Sequence, residues 1–137
     1  MADMAVRSSL SGLRVLLVDD DVDSGEFLTL GLELYRIEVH FVRSAREALE
    51  AFVRLRPDIL ISDIAMPGED GYSLIRKITQ LEASQTRTTP AIAVTALPDD
   101  RWKALSMGYD AFLRKPIDLK VLVDTIAELA VHSRLSA

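Results

Sequence analysis

The chain has 137 residues, of which 49% are hydrophobic and 27% are charged, enough for one buried core and too few for two ordinary domains. Its 16 basic and 21 acidic residues give a formal net charge of -5, which disfavours a surface built to neutralise nucleic-acid phosphates. There is no cysteine, and no stretch has the roughly 20 apolar residues of a membrane span or the apolar middle of a signal peptide. We expect one soluble domain, cytoplasmic by default, that binds neither nucleic acid directly nor a membrane.

The domain is expected to cover residues 13–131. Residues 1–12 are small and polar without apolar periodicity, which predicts a partly disordered leader. Residues 132–137 are assigned to a C-terminal tail.

Within the domain, short aliphatic runs alternate with longer amphipathic segments. The runs predict strands at 13–18, 38–42, 59–61, 91–94 and 111–113. The segments between them predict helices at 24–35, 44–54, 71–82, 99–107 and 118–131. Ser44 with Glu47 forms a candidate capping box, and Gly108 a candidate helix C-cap. The alternation indicates an α/β fold, a doubly wound parallel sheet of five strands with five helices and right-handed crossovers.

Reactive side chains follow four of the five predicted strands. They are Asp19, Asp20 and Asp21 after the first strand, Ser62 and Asp63 on the third, Thr95 after the fourth, and Arg114 and Lys115 after the fifth. Any one of these is more simply explained as a turn former. Because the carboxyl ends of parallel strands share one edge, where ligands bind in open α/β sheets, the combination predicts a site.

The chemistry of that site follows from its charges. Two converging carboxylates repel by roughly 4 kcal/mol at an effective dielectric near 20, so a cation is needed. Carboxylate ligands without cysteine or a nearby histidine favour Mg²⁺, with Mn²⁺ as a substitute, over zinc or copper. Lys115 adds a second positive charge, and Thr95 offers a hydroxyl to a bound phosphoryl group. Asp63, at the end of a central strand, is the carboxylate best placed to attack phosphorus.

Four segments together resemble the receiver domains of response regulators in two-component signalling, in the order and spacing of that family. They are Val18-Asp19-Asp20-Asp21, Ser62-Asp63-Ile64-Ala65-Met66-Pro67-Gly68-Glu69-Asp70-Gly71, Val94-Thr95-Ala96 and Lys115-Pro116. The resemblance spans roughly residues 13–131. It implies a flavodoxin-like sheet with strand order 2-1-3-4-5.

The resemblance also implies a role for each matching residue. Asp63 is the expected phosphoacceptor, and Thr95 and Lys115 engage the phosphoryl group. The expected metal ligands are Asp19, Asp20, Asp63 and the backbone carbonyl of Ala65, with Asp21 outside the set. The Lys115-Pro116 bond is expected to be cis, and Phe112 occupies the family's aromatic switch position, where it would turn inward as Thr95 moves toward the phosphate. Without the family pattern, Phe112 is an ordinary core residue.

The implied function is a phosphorylation switch rather than a turnover enzyme. The donor is a histidine kinase or phosphotransfer protein, the output passes through contacts with an unknown downstream protein at the surface around residues 102–112, and a homodimer is possible. The chain ends with the last predicted helix, which fits either a single-domain regulator or a receiver from a hybrid sensor kinase. A small Mg²⁺-dependent phosphohydrolase of the haloacid dehalogenase type and an unphosphorylated scaffold are the less favoured alternatives.

Three further residues carry smaller expectations. Ala65 and Leu97 are apolar where many receivers are polar, so we hypothesise a long-lived aspartyl phosphate. Trp102, the one tryptophan, is expected either at a surface contact or partly buried.

Overall fold

A computed structural model describes residues 10–85, 88–96 and 101–136, with side chains as far as Val131. The strands are β1 (Arg14–Val18), β2 (Glu38–Val42), β3 (Ile59–Asp63), β4 (Ala91–Thr95) and β5 (Ala111–Arg114). The helices are α1 (Val22–Glu33), α2 (Ala45–Leu55), α3 (Gly71–Glu82), α4 (Arg101–Met107) and α5 (Leu119–Ser136). In the described part of the chain, helices long and apolar enough to cross a bilayer are absent.

The five strands form one parallel sheet in the order β2-β1-β3-β4-β5, which confirms the predicted fold class and strand order. β3 and β4 are buried along their whole length, as expected for interior strands covered on both faces. β2 and β5 are the edges, and β2 is only half-buried, as its alternating sequence predicts.

Two apolar layers lie on opposite faces of the sheet. Alternate residues of each strand point to opposite faces, so Leu16 packs in one layer and its neighbour Leu17 in the other. The first layer is closed by α2, α3 and α4, and the second by α1 and α5. The carboxyl edge of the sheet lies between these two layers.

The helix ends follow the local sequence signals. Ser44 accepts a hydrogen bond from the backbone N–H of Glu47 at 3.1 Å and donates its hydroxyl to the Glu47 carboxylate at 3.0 Å, which confirms the predicted N-cap. Gly108 follows α4 with φ of 124°, a left-handed conformation that favours glycine at a helix end. Asp70 caps α3 by accepting from the N–H of Ser73.

The boundaries of the domain differ from those predicted. Leu10, assigned to the leader, is fully buried in the layer that α1 and α5 close, while residues 1–9 lie outside the described residues. α5 continues to Ser136, so residues 132–136 extend the helix rather than form a separate tail. Leu97 and the predicted start of the fourth helix at residue 99 also lie outside the described residues.

Trp102 is 81% exposed, so the expectation of partial burial is wrong. α4 buries Ala104 and packs the partly buried Met107 against the core, and Trp102 lies on its solvent face. The tryptophan is therefore a surface residue.

Candidate functional site

The carboxylates of Asp19, Asp20 and Asp63 converge at the carboxyl edge of the sheet. Each residue offers an oxygen that lies within 4.8 Å of those of the other two. Asp19 and Asp63 are buried and Asp20 is half-buried. β1 and β3 are neighbours in the sheet, so the residues that end them meet, as the sequence predicts.

Lys115 contacts two of the three carboxylates. Its Nζ donates to Asp19 Oδ2 at 2.9 Å and to Asp63 Oδ2 at 3.1 Å. The side chain is only 18% exposed, which limits screening of this ion pair by solvent. The Lys115-Pro116 peptide is cis, as the resemblance implies.

Thr95 lies at the same edge and is fully buried. The register of β3 and β4 pairs Asp63 with Val94, one position before Thr95. On the other side, the N–H of Lys115 donates to the carbonyl of Thr95 at 2.8 Å. The sheet therefore brings Thr95 and Lys115 to the edge at which Asp63 lies.

Burial sets the ionisation of this cluster. Burial raises the pKa of Asp63 to about 6, assisted by the neighbouring Asp19 carboxylate and opposed by Lys115. For Lys115, burial acts against the charged form, but its hydrogen bond to Asp19 and its contacts with Asp63 outweigh burial and raise its pKa. The ammonium group is thus held charged, whereas Asp63 remains only partly compensated.

This residual negative charge fits a divalent cation. The three carboxylates are hard oxygen donors, the ligands that Mg²⁺ and Mn²⁺ take in proteins. Asp19, Asp20 and Asp63 form the group of acidic side chains that could hold a metal ion among the described residues. Asp21 lies outside the group and instead caps α1, accepting from the N–H of Asp23 at 3.1 Å.

The segment after β3 folds back over the end of the strand. The N–H of Ala65 donates to Asp63 Oδ1 at 3.2 Å, and Ala65 itself is exposed. The N–H of Gly71 donates to the carbonyl of Ile64 at 3.0 Å. These bonds place the Ala65 peptide directly beside the Asp63 carboxylate.

Phe112 lies on β5, paired with Ala93 of β4. The ring is 5% exposed and packs in the layer that α2, α3 and α4 close. The guanidinium of Arg101, the first residue of α4, lies 5.4 Å from the ring centroid, within range of a cation–π interaction. The aromatic ring is therefore already inward in this structure.

A groove of about 580 Å³ opens beside the cluster, between the start of α1 and the segment that follows β5. Its lining includes Asp23, Phe27, Lys115 and Pro116. Lys115, which pairs with Asp19 and Asp63, thus also lines a surface groove.

Sequence reasoning missed one buried polar residue next to this site, Tyr109. It is 3% exposed, and its hydroxyl donates to the carbonyl of Gly71 at 2.7 Å. Burial raises the pKa of its hydroxyl. Tyrosine before a strand has no motif, so the sequence alone offers no signal for this contact.

The fold and the acidic edge are those of a receiver domain. The family model for the response regulator receiver domain matches residues 15–127, and the chain belongs to this family. It is a receiver domain of two-component signalling.

The chain is similar to both short and long relatives. It is 37% identical over 122 residues to an uncharacterised 14.6 kDa protein of Leptolyngbya boryana, covering 88% of this chain and 92% of that one. It is 32% identical over 133 residues to hybrid signal transduction histidine kinase D of Dictyostelium discoideum, covering 90% of this chain but only 8% of the kinase. The structure is similar to a CheY-like receiver domain protein of Methanospirillum hungatei, with a TM-score of 0.84, 26% identity, and coverage of 93% of this chain and 100% of that one.

Proposed function

We propose that the chain is a phosphorylation switch that accepts a phosphoryl group on Asp63 from the phosphohistidine of a histidine kinase or phosphotransfer protein. The observation that carries the proposal is the convergence of Asp19, Asp20 and Asp63 at one edge of the sheet, where Lys115 pairs with Asp19 and Asp63. Family membership supports the same function.

The proposed metal is Mg²⁺, with Mn²⁺ able to replace it. Asp19, Asp20, Asp63 and the Ala65 carbonyl would hold the ion, which would neutralise charge on the transferring phosphoryl oxygens. When bound, the ion would stabilise the ionised form of Asp63, which burial and the neighbouring Asp19 carboxylate disfavour. The buried Asp63 is oriented by Lys115 and by the Ala65 N–H, so little freedom is lost on attack.

In the transfer, an oxygen of Asp63 bonds to phosphorus as the bond to the donor histidine nitrogen breaks. Lys115 and Thr95 lie on the β4 and β5 side of Asp63, from which they would contact the phosphoryl oxygens. The modification adds about 1.5 to 2 negative charges, and these draw both side chains toward Asp63. Thr95 ends β4 and Lys115 follows β5, so we expect β5, Phe112 and α4 to carry the change to the surface at residues 102–112.

Labelling with acetyl phosphate and Mg²⁺, measured by intact mass, tests both that the protein is phosphorylated and that Asp63 is the acceptor. Wild type is expected to gain the mass of one phosphoryl group, and Asp63→Asn none. Asp124→Asn, which changes an exposed carboxylate on α5, is the matched control and should label like wild type. Labelling of Asp63→Asn at the wild-type level would overturn the assignment.

The same reaction separates the switch from the phosphohydrolase alternative. A switch accumulates a single phosphoryl group per chain and turns over donor only as fast as that group is lost. Sustained hydrolysis of an unrelated phosphate monoester, abolished by Asp63→Asn, would instead favour the enzyme.

A further inference from the structure

Tyr109 connects two parts of the fold that are distant in sequence. It lies between α4 and β5, is 3% exposed, and its hydroxyl donates to the carbonyl of Gly71 at 2.7 Å across a separation of 38 residues. Burying a hydroxyl costs free energy unless it is hydrogen-bonded. A phenylalanine would fill most of the same space without that cost, so the bond to Gly71 gives the hydroxyl a specific role.

Gly71 is the residue that closes the segment after Asp63. Its N–H donates to the carbonyl of Ile64 at 3.0 Å, and an added Cβ would lie 2.6 Å from the carbonyl oxygen of Asp63. The start of α3 is therefore pressed against the end of β3. The hydrogen bond from Tyr109 to the carbonyl of Gly71 helps to hold Gly71 in this position.

Ser62 bonds the same backbone group against which Gly71 packs. Its hydroxyl donates to the carbonyl of Asp63 at 3.0 Å, the oxygen that an added Cβ on Gly71 would meet. The hydroxyl of Tyr109 therefore bonds the residue that follows the 64–70 segment, and that residue packs on the carbonyl of Asp63. That segment begins with the peptide groups of Ile64 and Ala65, directly beside the acidic cluster.

We propose that Tyr109 is a positioning residue that holds the 64–71 segment against β3 through Gly71, and so places the Ala65 carbonyl toward the metal. The expected effect on metal affinity rests on the proposed function, whereas the contact between Tyr109 and Gly71 does not. The hydroxyl of Tyr109 bonds a backbone carbonyl, so in this proposal it acts through backbone groups and not on the carboxylates themselves. It also joins the segment beside the phosphoacceptor to the connection between α4 and β5.

The test compares wild type with Tyr109→Phe, which removes the hydroxyl alone. Tyr35→Phe is the matched control, because Tyr35 follows α1 at the opposite end of the sheet and packs in the other apolar layer. Hydrogen exchange of the metal-free proteins reports on the segment directly, and titration calorimetry with MgCl₂ reports on metal affinity. Acetyl phosphate labelling over a range of Mg²⁺ concentrations gives the third measurement.

For Tyr109→Phe we expect faster amide exchange confined to residues 64–71 and a Kd for Mg²⁺ raised about tenfold, the scale of losing a partner behind a metal ligand. The Mg²⁺ concentration for half-maximal labelling should rise by the same factor, with the rate at saturating Mg²⁺ near that of wild type. Tyr35→Phe should change none of these.

Two results would overturn the proposal. One is unchanged exchange at residues 64–71 together with an unchanged Kd. The other is a uniform rise in exchange across the sheet, which describes a residue needed only for packing. The exchange measurement uses neither metal nor donor, so a failure of wild type to bind Mg²⁺ or to label would count against the proposed function and leave the test of the contact intact.

Discussion

Lys115 and Asp63 form an ion pair of 3.1 Å between residues that are 52 positions apart in the chain. The pair is nearly buried, with the side chains 18% and 7% exposed, and the same ammonium group contacts Asp19. One cation therefore compensates two buried carboxylates. The stability of the fold should then change when either the lysine or one of the carboxylates is removed.

Replacing Lys115 by methionine is expected to destabilise the metal-free protein by about 3 kcal/mol at pH 7, since removing one partner leaves buried carboxylates unpaired. The loss should shrink on adding Mg²⁺ or on lowering the pH, because both reduce the negative charge. Chemical unfolding with and without MgCl₂ measures this, and Lys120→Met, at an exposed position, is the control. Equal effects of the two substitutions would contradict a compensating role for Lys115.

Asp63 should make the metal-free protein more stable as the pH falls from 7 to 5. Burial raises its pKa in the folded state to about 6 from a usual value of 3.8, so between these values the folded state binds more protons than the unfolded state. The stabilisation from this group is complete below pH 4 and is lost as the pH rises through 6.

Asp63→Asn removes the titrating group and isolates its effect. At pH 7 in EDTA the variant should be more stable than wild type by on the order of 1–3 kcal/mol, and the difference should shrink toward pH 5. Urea unfolding at several pH values measures it. If wild type is instead more stable than Asp63→Asn at pH 7, Lys115 already offsets the full cost of burying the Asp63 charge.

Gly71→Ala is expected to destabilise the fold by about 2 kcal/mol and to slow labelling of Asp63. The added Cβ would lie 2.6 Å from the carbonyl oxygen of Asp63 and 2.9 Å from the Cα of Ile64, both of which are backbone atoms of the site. Gly31→Ala is the contrast, because the three atoms nearest to its added Cβ all belong to the flexible Leu119 side chain and none is a backbone atom. Thermal unfolding and labelling rates compare the two. If both variants lose only a little stability, the start of α3 can move away from the end of β3 at little cost in free energy.

Ala65→Asn is expected to accelerate loss of the phosphoryl group from Asp63 several-fold. Ala65 is exposed beside the Asp63 carboxylate, where an amide side chain has room to orient an attacking water. The decay of labelled protein after removal of the donor gives the rate, and Ala83→Asn, at an exposed position on the far end of α3, is the control. An unchanged decay would end the hypothesis that Ala65 contributes to a long-lived phosphoryl group.

Most of the sheet and the acidic edge were predictable because both depend on local signals. Each strand is a short apolar run, and Asp19, Asp63, Thr95 and Lys115 lie where such runs end, so a parallel topology alone brings them to one edge. The burial of Leu10 was not predictable, since a single leucine in a polar segment has no periodicity to mark it. The contact of Tyr109 with Gly71 depends on the packing of three elements, which no sequence spacing encodes.

The shallow seating of α4 has a consequence for where a signal can emerge. α3 buries five of its residues, whereas α4 buries Ala104 and packs the partly buried Met107 against the core, so shifting α4 disrupts less apolar contact than shifting α3 would. We therefore expect a structural change at the carboxyl edge to displace α4 more readily than α3. α4 is also the helix that presents Trp102 to the solvent, so a displacement of this helix would move the largest side chain in the protein.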